Sequence, residues 1–305
     1  MSNAIYQLVT DTILKRLSEG VIPWKRPWDA PAPQNIRGNA YRGINHILLG
    51  MAPFKSPFWL TYRQATERGG YIRKGEKSSI AVFWKLTQVK DNDPSNESKV
   101  KTVPFMRLYK LFNLEQTENV KLEPKLQKMV EQMEANTAAF DPIAKAEDIW
   151  EGFKGRPALE HGGSAAFYRP STDTIHLPPR RTFQDAASYY GVLFHESGHS
   201  TAHESRLNRG LDTNRASKSY AYEELTAELA SAFLLAKAGL DPEMRADQQA
   251  AYIEFWSTTI KSDPKLFATA AAKGQKAADF ILGTKADEGA NDEAELSEAP
   301  IGECA

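Results

Sequence analysis

From Ala4 to Leu17 apolar residues recur every three to four positions, at Ile5, Leu8, Val9, Ile13, Leu14 and Leu17. That spacing predicts a helix with one buried face. Gly20 ends it, and Pro23 and Pro27 keep the next stretch extended. The Pro-rich DAPAPQN and the Gly/Asn-rich IRGNAYRGIN read as loop or strand edge. Two segments rich in β-branched and aromatic residues predict strands: Ser78 to Leu86 (SSIAVFWKL) and Val103 to Phe112 (VPFMRLYKLF). The polar, turn-rich VKDNDPSNESKVK between them predicts a hairpin tip.

Leu122 to about Asp148 is charged and helical in composition, a linker or interdomain helix. Beyond it, Ser164 to Tyr168 and Thr174 to Leu177 flank the turn RPSTD and predict a second hairpin. Helical periodicity then dominates: Asp185 to about Ser205, Tyr220 to Lys237, Met244 to about Lys261 and Pro264 to Leu282. The fold class is α+β. The expected organisation is one unit over residues 1–121, a connection over 122–148, a mainly helical unit with a small β-sheet over 149–285, and a disordered acidic tail over 286–305.

Composition narrows the classes. A chain of 305 residues, 41% hydrophobic and 25% charged, buries a sizeable core, which excludes a wholly disordered or fibrous protein. No apolar run reaches the ~18 residues of a membrane span, and the first residues lack a secretory pattern. The only cysteine is Cys304, so neither a disulfide framework nor a cysteine zinc site is expected, and the expected location is cytoplasmic. The net charge of -1 hides a split: residues 1–121 hold 19 Lys+Arg against 10 Asp+Glu, leaving 19 against 29 for the rest of the totals of 38 and 39. The basic half is where a polyanion would bind.

The sharpest chemistry is His195-Glu196-Ser197-Gly198-His199, inside a run whose apolar Tyr189, Val192, Leu193 and Phe194 mark a buried helix. Residues four apart on a helix stack on one face, roughly 6 Å apart along the axis. Both imidazoles can then ligate one Zn²⁺, while Glu196 reaches the water beside it and acts as general base. Mn²⁺, Co²⁺ or Ni²⁺ would suit the same N/O donors. Downstream, the helix YAYEELTAELASAFLLAK carries Leu225, Leu229, Ala232 and Phe233 on its buried side, with Glu224 and Glu228 one turn apart beside them. A buried carboxylate needs a partner, and a metal is one. His203 lies two turns, roughly 12 Å, from His195 on a straight helix, too far to share its ion. It reads as a cap, a group supporting a ligand from behind, or a nearby polar contact, and His46, His161 and His176 as ordinary structural residues. On the hairpin upstream, Tyr168 could assist an oxyanion beside a bound peptide strand.

Within residues 1–121 lie 14 aromatic residues interleaved with cations, as in PWKRPW, NAYRGIN, PFWLTYRQA and YIRKGEKSS. Rings stack on unpaired bases and cations follow phosphates. Trp59, Phe83 and Trp84 are expected in the core. Arg37, Tyr41, Arg42, Tyr62, Lys74 and Lys77 are the expected contacts to nucleic acid.

HExxH followed by a glutamate-bearing helix resembles the gluzincin and SprT-like zinc metallopeptidases. That resemblance implies Glu224 as third ligand and Glu228 as the group orienting a histidine, with Glu223 or Glu228 as the competing ligand. The motifs PWKRPW, NAYRGINHILL, FWLTYRQATERGGYIRKGEK and RLYKLFNLEQ, then AAFYRPSTDTIHLPP, HESGH, RLNR and YAYEELTAEL, resemble the ArdC antirestriction family over residues 1 to about 285. The sequence departs from that family at Ser197 and Ser200, where Leu and Trp are usual. The resemblance implies a single-stranded-DNA-binding domain joined to a zincin-like metallopeptidase domain, protecting incoming plasmid DNA from host restriction endonucleases. Two other readings fit the same residues. One is a metalloprotease that cleaves a host regulatory or restriction protein. The other is a pure single-stranded-DNA-binding protein whose zincin domain is structural.

Overall fold

The computed structural model describes residues 2–24, 32–90, 100–135, 142–212, 217–241 and 246–284. The expected acidic tail, Trp28 and most of the expected hairpin tip lie outside them.

The first helix, α1 (Ser2–Ser18), buries Ile5, Val9, Ile13 and Leu17, the stripe its periodicity prescribes. After it come β1 (Gln34–Asn35), α2 (Ile44–Gly50), β2 (Phe58–Leu60), α3 (Tyr62–Glu67) and β3 (Tyr71–Ile72). Then follow the paired strands β4 (Ser79–Lys90) and β5 (Val100–Asn113), and the short β6 (Thr117–Glu118). One sheet has the order β1-β2-β5-β4, parallel between β1 and β2 and antiparallel elsewhere, while β3 pairs with β6. The β4–β5 ladder runs from Ser79↔Leu111 to Lys90↔Val100, longer than the apolar pattern suggests. Backbone donors and acceptors must pair whatever the side chains are, so the ladder continues through polar residues.

The segment expected as a connection holds two helices. Leu126, Met129 and Val130 of α4 (Pro124–Ala135) pack with Ile36, Phe58 and Leu60. Ala146, Ile149 and Trp150 of α5 (Pro142–Gly152) join the larger core formed by the rest of the chain. There β7 (Ala158–His161), β8 (Phe167–Arg169) and β9 (Thr174–Leu177) form a sheet of order β7-β9-β8, with β7 parallel and β8 antiparallel to β9. The helices α6 (Ala186–Ser200), α7 (Lys218–Ala238), α8 (Ala246–Ser262) and α9 (Leu266–Leu282) complete it. Among the described residues no helix is long and apolar enough to cross a membrane.

The larger core does not stop at residue 121. Ile13, Leu17, Ile22, Trp24 and Ile47 lie in the same buried cluster as Leu193, Leu229, Trp256 and Phe267. Trp24 sits 5.2 Å from the Phe267 ring and edge-on to Trp256, so the first Trp of PWKRPW is a core residue rather than an exposed ring. Motif residues of NAYRGIN are likewise engaged inside the protein. Arg42 pairs with the buried Asp279 of α9, and the Gly43 N–H donates to Gln275 Oε1 at 2.9 Å. Asn45 exchanges two hydrogen bonds with the backbone of Val82, at 2.8 and 2.7 Å.

Candidate metal centre

Two capped helices bring the site together. Asp185 caps α6, its carboxylate accepting from Ser188 N at 2.6 Å; Ser217 caps α7, accepting from Tyr220 N at 3.0 Å. They approach closely because Gly198 has no side chain. A methyl group there would lie 3.0 Å from Ala227 Cα and 3.2 Å from its carbonyl oxygen. At Gly274 of α9 a methyl would meet Thr226 O at 2.9 Å, so α7 is gripped from both sides.

At that crossing three side chains converge. His195 Nε2 and His199 Nε2 are 3.1 Å apart, Glu224 Oε1 is 3.6 Å from His199 Nε2, and Glu224 Oε2 is 3.7 Å from His195 Nε2. One donor atom from each lies within 4.8 Å of the others. Tetrahedral ligands at ~2.1 Å from a cation stand roughly 3.4 Å apart, so the spacing and the N/N/O chemistry fit a divalent ion. Each imidazole turns its other nitrogen to a carboxylate: His195 Nδ1 faces Glu228 Oε2 at 3.4 Å and His199 Nδ1 faces Glu223 Oε1 at 3.3 Å. Such contacts fix the tautomer that leaves Nε2 for a metal.

Of the three glutamates whose roles the sequence leaves open, only Glu224 reaches both Nε2 atoms. Glu223 is held away by Arg209, whose Nε and Nη2 donate to it at 2.8 and 2.7 Å. Glu228 accepts from the Tyr252 hydroxyl, which in turn accepts from Trp24 Nε1 at 2.9 Å. A hydrogen-bond chain therefore runs from Trp24 to His195. The carboxylates around the two imidazoles favour positive charge at this point. Burial opposes charge on His195, but hydrogen bonds to Glu224 and Glu228 win and push its pKa up to about 10. Burial would raise Glu224, yet His195 and His199 pull it down to about 2. Glu223 is also held below the usual carboxylate range, against burial, by His199 and Arg209.

Glu196 is buried and, with His195, His46 and Glu228, lines a cavity of about 410 Å³. His46, expected to be purely structural, is thus beside the site. Val192 and Ala232, on the helix stripes, line the same cavity.

One expectation is corrected. The helix carrying HESGH ends at Ser200, not near Ser205. The Thr201 hydroxyl donates to Gly198 O at 2.6 Å, Arg209 Nη2 donates to the same carbonyl at 2.8 Å, and Arg206 Nε donates to Ser200 O at 2.7 Å. With its last carbonyls satisfied, the helix has no need to continue. His203 therefore sits beyond it, against the Ser205 hydroxyl at 2.8 Å. The Tyr168 hydroxyl donates to Asp173 at 2.7 Å and accepts from Arg206 at 3.3 Å. His161 meets the Tyr189 hydroxyl at 3.0 Å, and His176 faces Glu160 at 3.3 Å, neither of them in the cluster.

In the basic region, two of the expected nucleic-acid contacts make contacts within the fold. Tyr41 packs with Leu49, Trp59, Ala81 and Leu111, and burial pushes its hydroxyl pKa up. Arg42 is taken by Asp279. Arg37, Lys74 and Lys77 are exposed, and Tyr62 is 62% exposed. The helix of Tyr62, α3, packs beside β3, whose Tyr71 is 48% exposed just ahead of Lys74 and Lys77. Sequence reasoning passed over Tyr71, although YIRKGEKSS carries the same ring–cation alternation. Trp59 and Phe83 are buried as expected, and the side chain of Trp84 lies outside the described ones.

Residues 145–273 match the family model described as a zincin-like metallopeptidase, the class whose fold this half of the chain shares. Residues 3–112 match the N-terminal domain of anti-restriction factor ArdC. Crystal structures of the antirestriction protein ArdC from plasmid R388, one metal-free and one Mn(II)-bound, superpose with a TM-score of 0.69 at 36% identity. The match covers 90–93% of this chain and 96–98% of theirs. The chain belongs to the ArdC antirestriction family. An uncharacterised Sinorhizobium fredii protein, y4eC, is 34% identical over 93% of both chains. DNA primase TraC of Escherichia coli is 34% identical over 91% of this chain, which spans only 27% of the primase.

Proposed function

We propose that this protein is an antirestriction factor that binds single-stranded DNA through its N-terminal region and carries a hydrolytic divalent-metal centre on α6 and α7. The observation that carries the reading is the convergence of His195 Nε2, His199 Nε2 and Glu224 beside Glu196 and an open cavity. A structural site would have no use for Glu196.

His195, His199 and Glu224 hold the ion, Zn²⁺ or Mn²⁺ foremost, while Glu228 and Glu223 keep both imidazoles turned toward it. When bound, the cation supplies Lewis acidity to a water and to a carbonyl oxygen. Glu196 takes the proton of the attacking water and returns it to the departing amine nitrogen of a peptide bond. On the N-terminal side, exposed Tyr62 and Tyr71 stack on unpaired bases, while Arg37, Lys74 and Lys77 follow the phosphates. The location consistent with this role is the cytoplasm, where incoming plasmid DNA meets restriction endonucleases.

The test compares restriction protection by the wild type and by Glu196→Gln, on single- and double-stranded substrates. The variant should keep its metal, lose any peptide hydrolysis and lose protection. Full protection by a hydrolysis-dead variant would assign antirestriction to DNA coating alone.

A further inference from the structure

The cavity beside Glu196 is shared between the two halves of the chain. Trp24 and Ile47 come from the N-terminal region; Val192, Ala232, Phe233 and Leu240 come from the metallopeptidase helices and the turn after α7. At about 410 Å³ it is within the range of ligand-binding pockets, ~300–1,000 Å³. Three of the polar side chains in its lining are committed elsewhere. Ser231 Oγ donates to Gly191 O at 2.8 Å, Tyr252 donates to Glu228, and Glu228 faces His195. Around the reacting end at His195 and Glu196, the surface left to meet an occupant is therefore mainly hydrocarbon.

We propose that this cavity receives an apolar side chain of a peptide substrate, of leucine to phenylalanine size, and that the N-terminal region forms part of the specificity wall. The proposal rests on the metallopeptidase reading above. A pocket of this composition discriminates strongly: methylenes placed in an apolar site are each worth on the order of tenfold or more in selectivity. A small or charged side chain would leave hydrocarbon uncovered or strand a charge.

The probes are glycine, leucine and phenylalanine hydroxamates, which share one metal-chelating group and differ only in the side chain. They are titrated calorimetrically into the Mn(II)-loaded full chain. Leucine or phenylalanine hydroxamate should bind at least tenfold tighter than glycine hydroxamate. Ala232→Phe, which fills the cavity, should reduce that advantage to less than threefold. Ile47→Ala, which enlarges it from the N-terminal side, should shift the preference toward phenylalanine hydroxamate. Equal affinity for all three probes on protein that takes up Mn(II) overturns the pocket and leaves the metal reading standing. An unchanged leucine-to-phenylalanine ratio in Ile47→Ala overturns the N-terminal wall. Failure to take up Mn(II) removes the metallopeptidase reading and the pocket with it.

Discussion

Arg209 holds Glu223 with two parallel hydrogen bonds, Nε to Oε2 at 2.8 Å and Nη2 to Oε1 at 2.7 Å, and so fixes the carboxylate that faces His199 Nδ1. The same guanidinium donates to Thr201 Oγ1 at 2.6 Å and to Gly198 O at 2.8 Å. One side chain thus closes the helix and fixes the carboxylate that faces an imidazole of the candidate site. Lysine cannot reproduce that planar fork. Arg209→Lys should therefore lower metal affinity about 10- to 100-fold, the range found when such supporting contacts are lost. Competition with a chelator of known affinity measures it, and unchanged affinity would remove Arg209 from the support of the site.

The chain from Trp24 through Tyr252 and Glu228 to His195 makes a distant residue matter. Trp24→Phe keeps a ring in the core, though a smaller one, and deletes the Nε1 donor. We expect a stability loss of about 1–3 kcal/mol from the altered packing and the lost partner of a buried hydroxyl, together with a several-fold loss of metal affinity. Denaturant unfolding with and without metal separates the two effects. Equal destabilisation in both conditions would confine Trp24 to packing.

Gly198 is a contact as much as a motif position. Gly198→Val must push α7 away from α6, since even a methyl would sit 3.0 Å from Ala227 Cα. Overpacking of this kind costs about 1–3 kcal/mol, and Glu224 moves with the helix. Calorimetric melting should show a lower Tm, and added Mn(II) should raise it less than in the wild type.

Asp173 predicts an acid dependence. Burial works against its charge, but hydrogen bonds from Arg206 and Tyr168 prevail and hold its pKa below the usual carboxylate range. Because the folded value lies below the unfolded ~3.9, the resulting stability is present above about pH 4 and is lost as pH falls through the folded value. The Tm gap between the wild type and Asp173→Asn should be widest near neutrality and close below about pH 4. A gap independent of pH would contradict the pairing.

For the nucleic-acid region, Tyr62→Ala and Lys74→Ala are expected to weaken single-stranded DNA binding. In the lysine variant the logarithmic salt slope should fall by about 0.7, the share of one phosphate. Arg42→Ala should instead lower thermal stability, since its partner is Asp279 inside the fold. Filter binding over a salt series, beside melting curves, distinguishes the two kinds of residue.

The helices and the β4–β5 hairpin were legible because their apolar periodicity is local. The convergence of the candidate cluster was legible because HESGH places two imidazoles on one helix face and YAYEELTAEL offers glutamates on another. Deciding among Glu223, Glu224 and Glu228 needed the position of Arg209, fourteen residues away along the chain from Glu223. Nothing in the spacing of RLNR declares that its arginines turn back on a helix end. The internal contacts of Tyr41 and Arg42 were not legible, because NAYRGIN looks like a loop offering rings and cations. Its partners, Asp279, Gln275 and Val82, lie up to 237 positions away in sequence. Long-range pairing of this sort leaves no periodic trace.

The buried cluster that joins Ile13, Trp24 and Ile47 to Leu229 and Phe267 bears on how such a chain is inherited. Cutting between its halves would strip hydrocarbon bare on both fragments and dismantle one wall of the cavity beside Glu196. A gene encoding it can be appended to a longer reading frame as one block, as in a primase where a similar stretch makes up about a quarter of the polypeptide. Recombination that splits the block would leave each piece without part of the apolar surface it packs against.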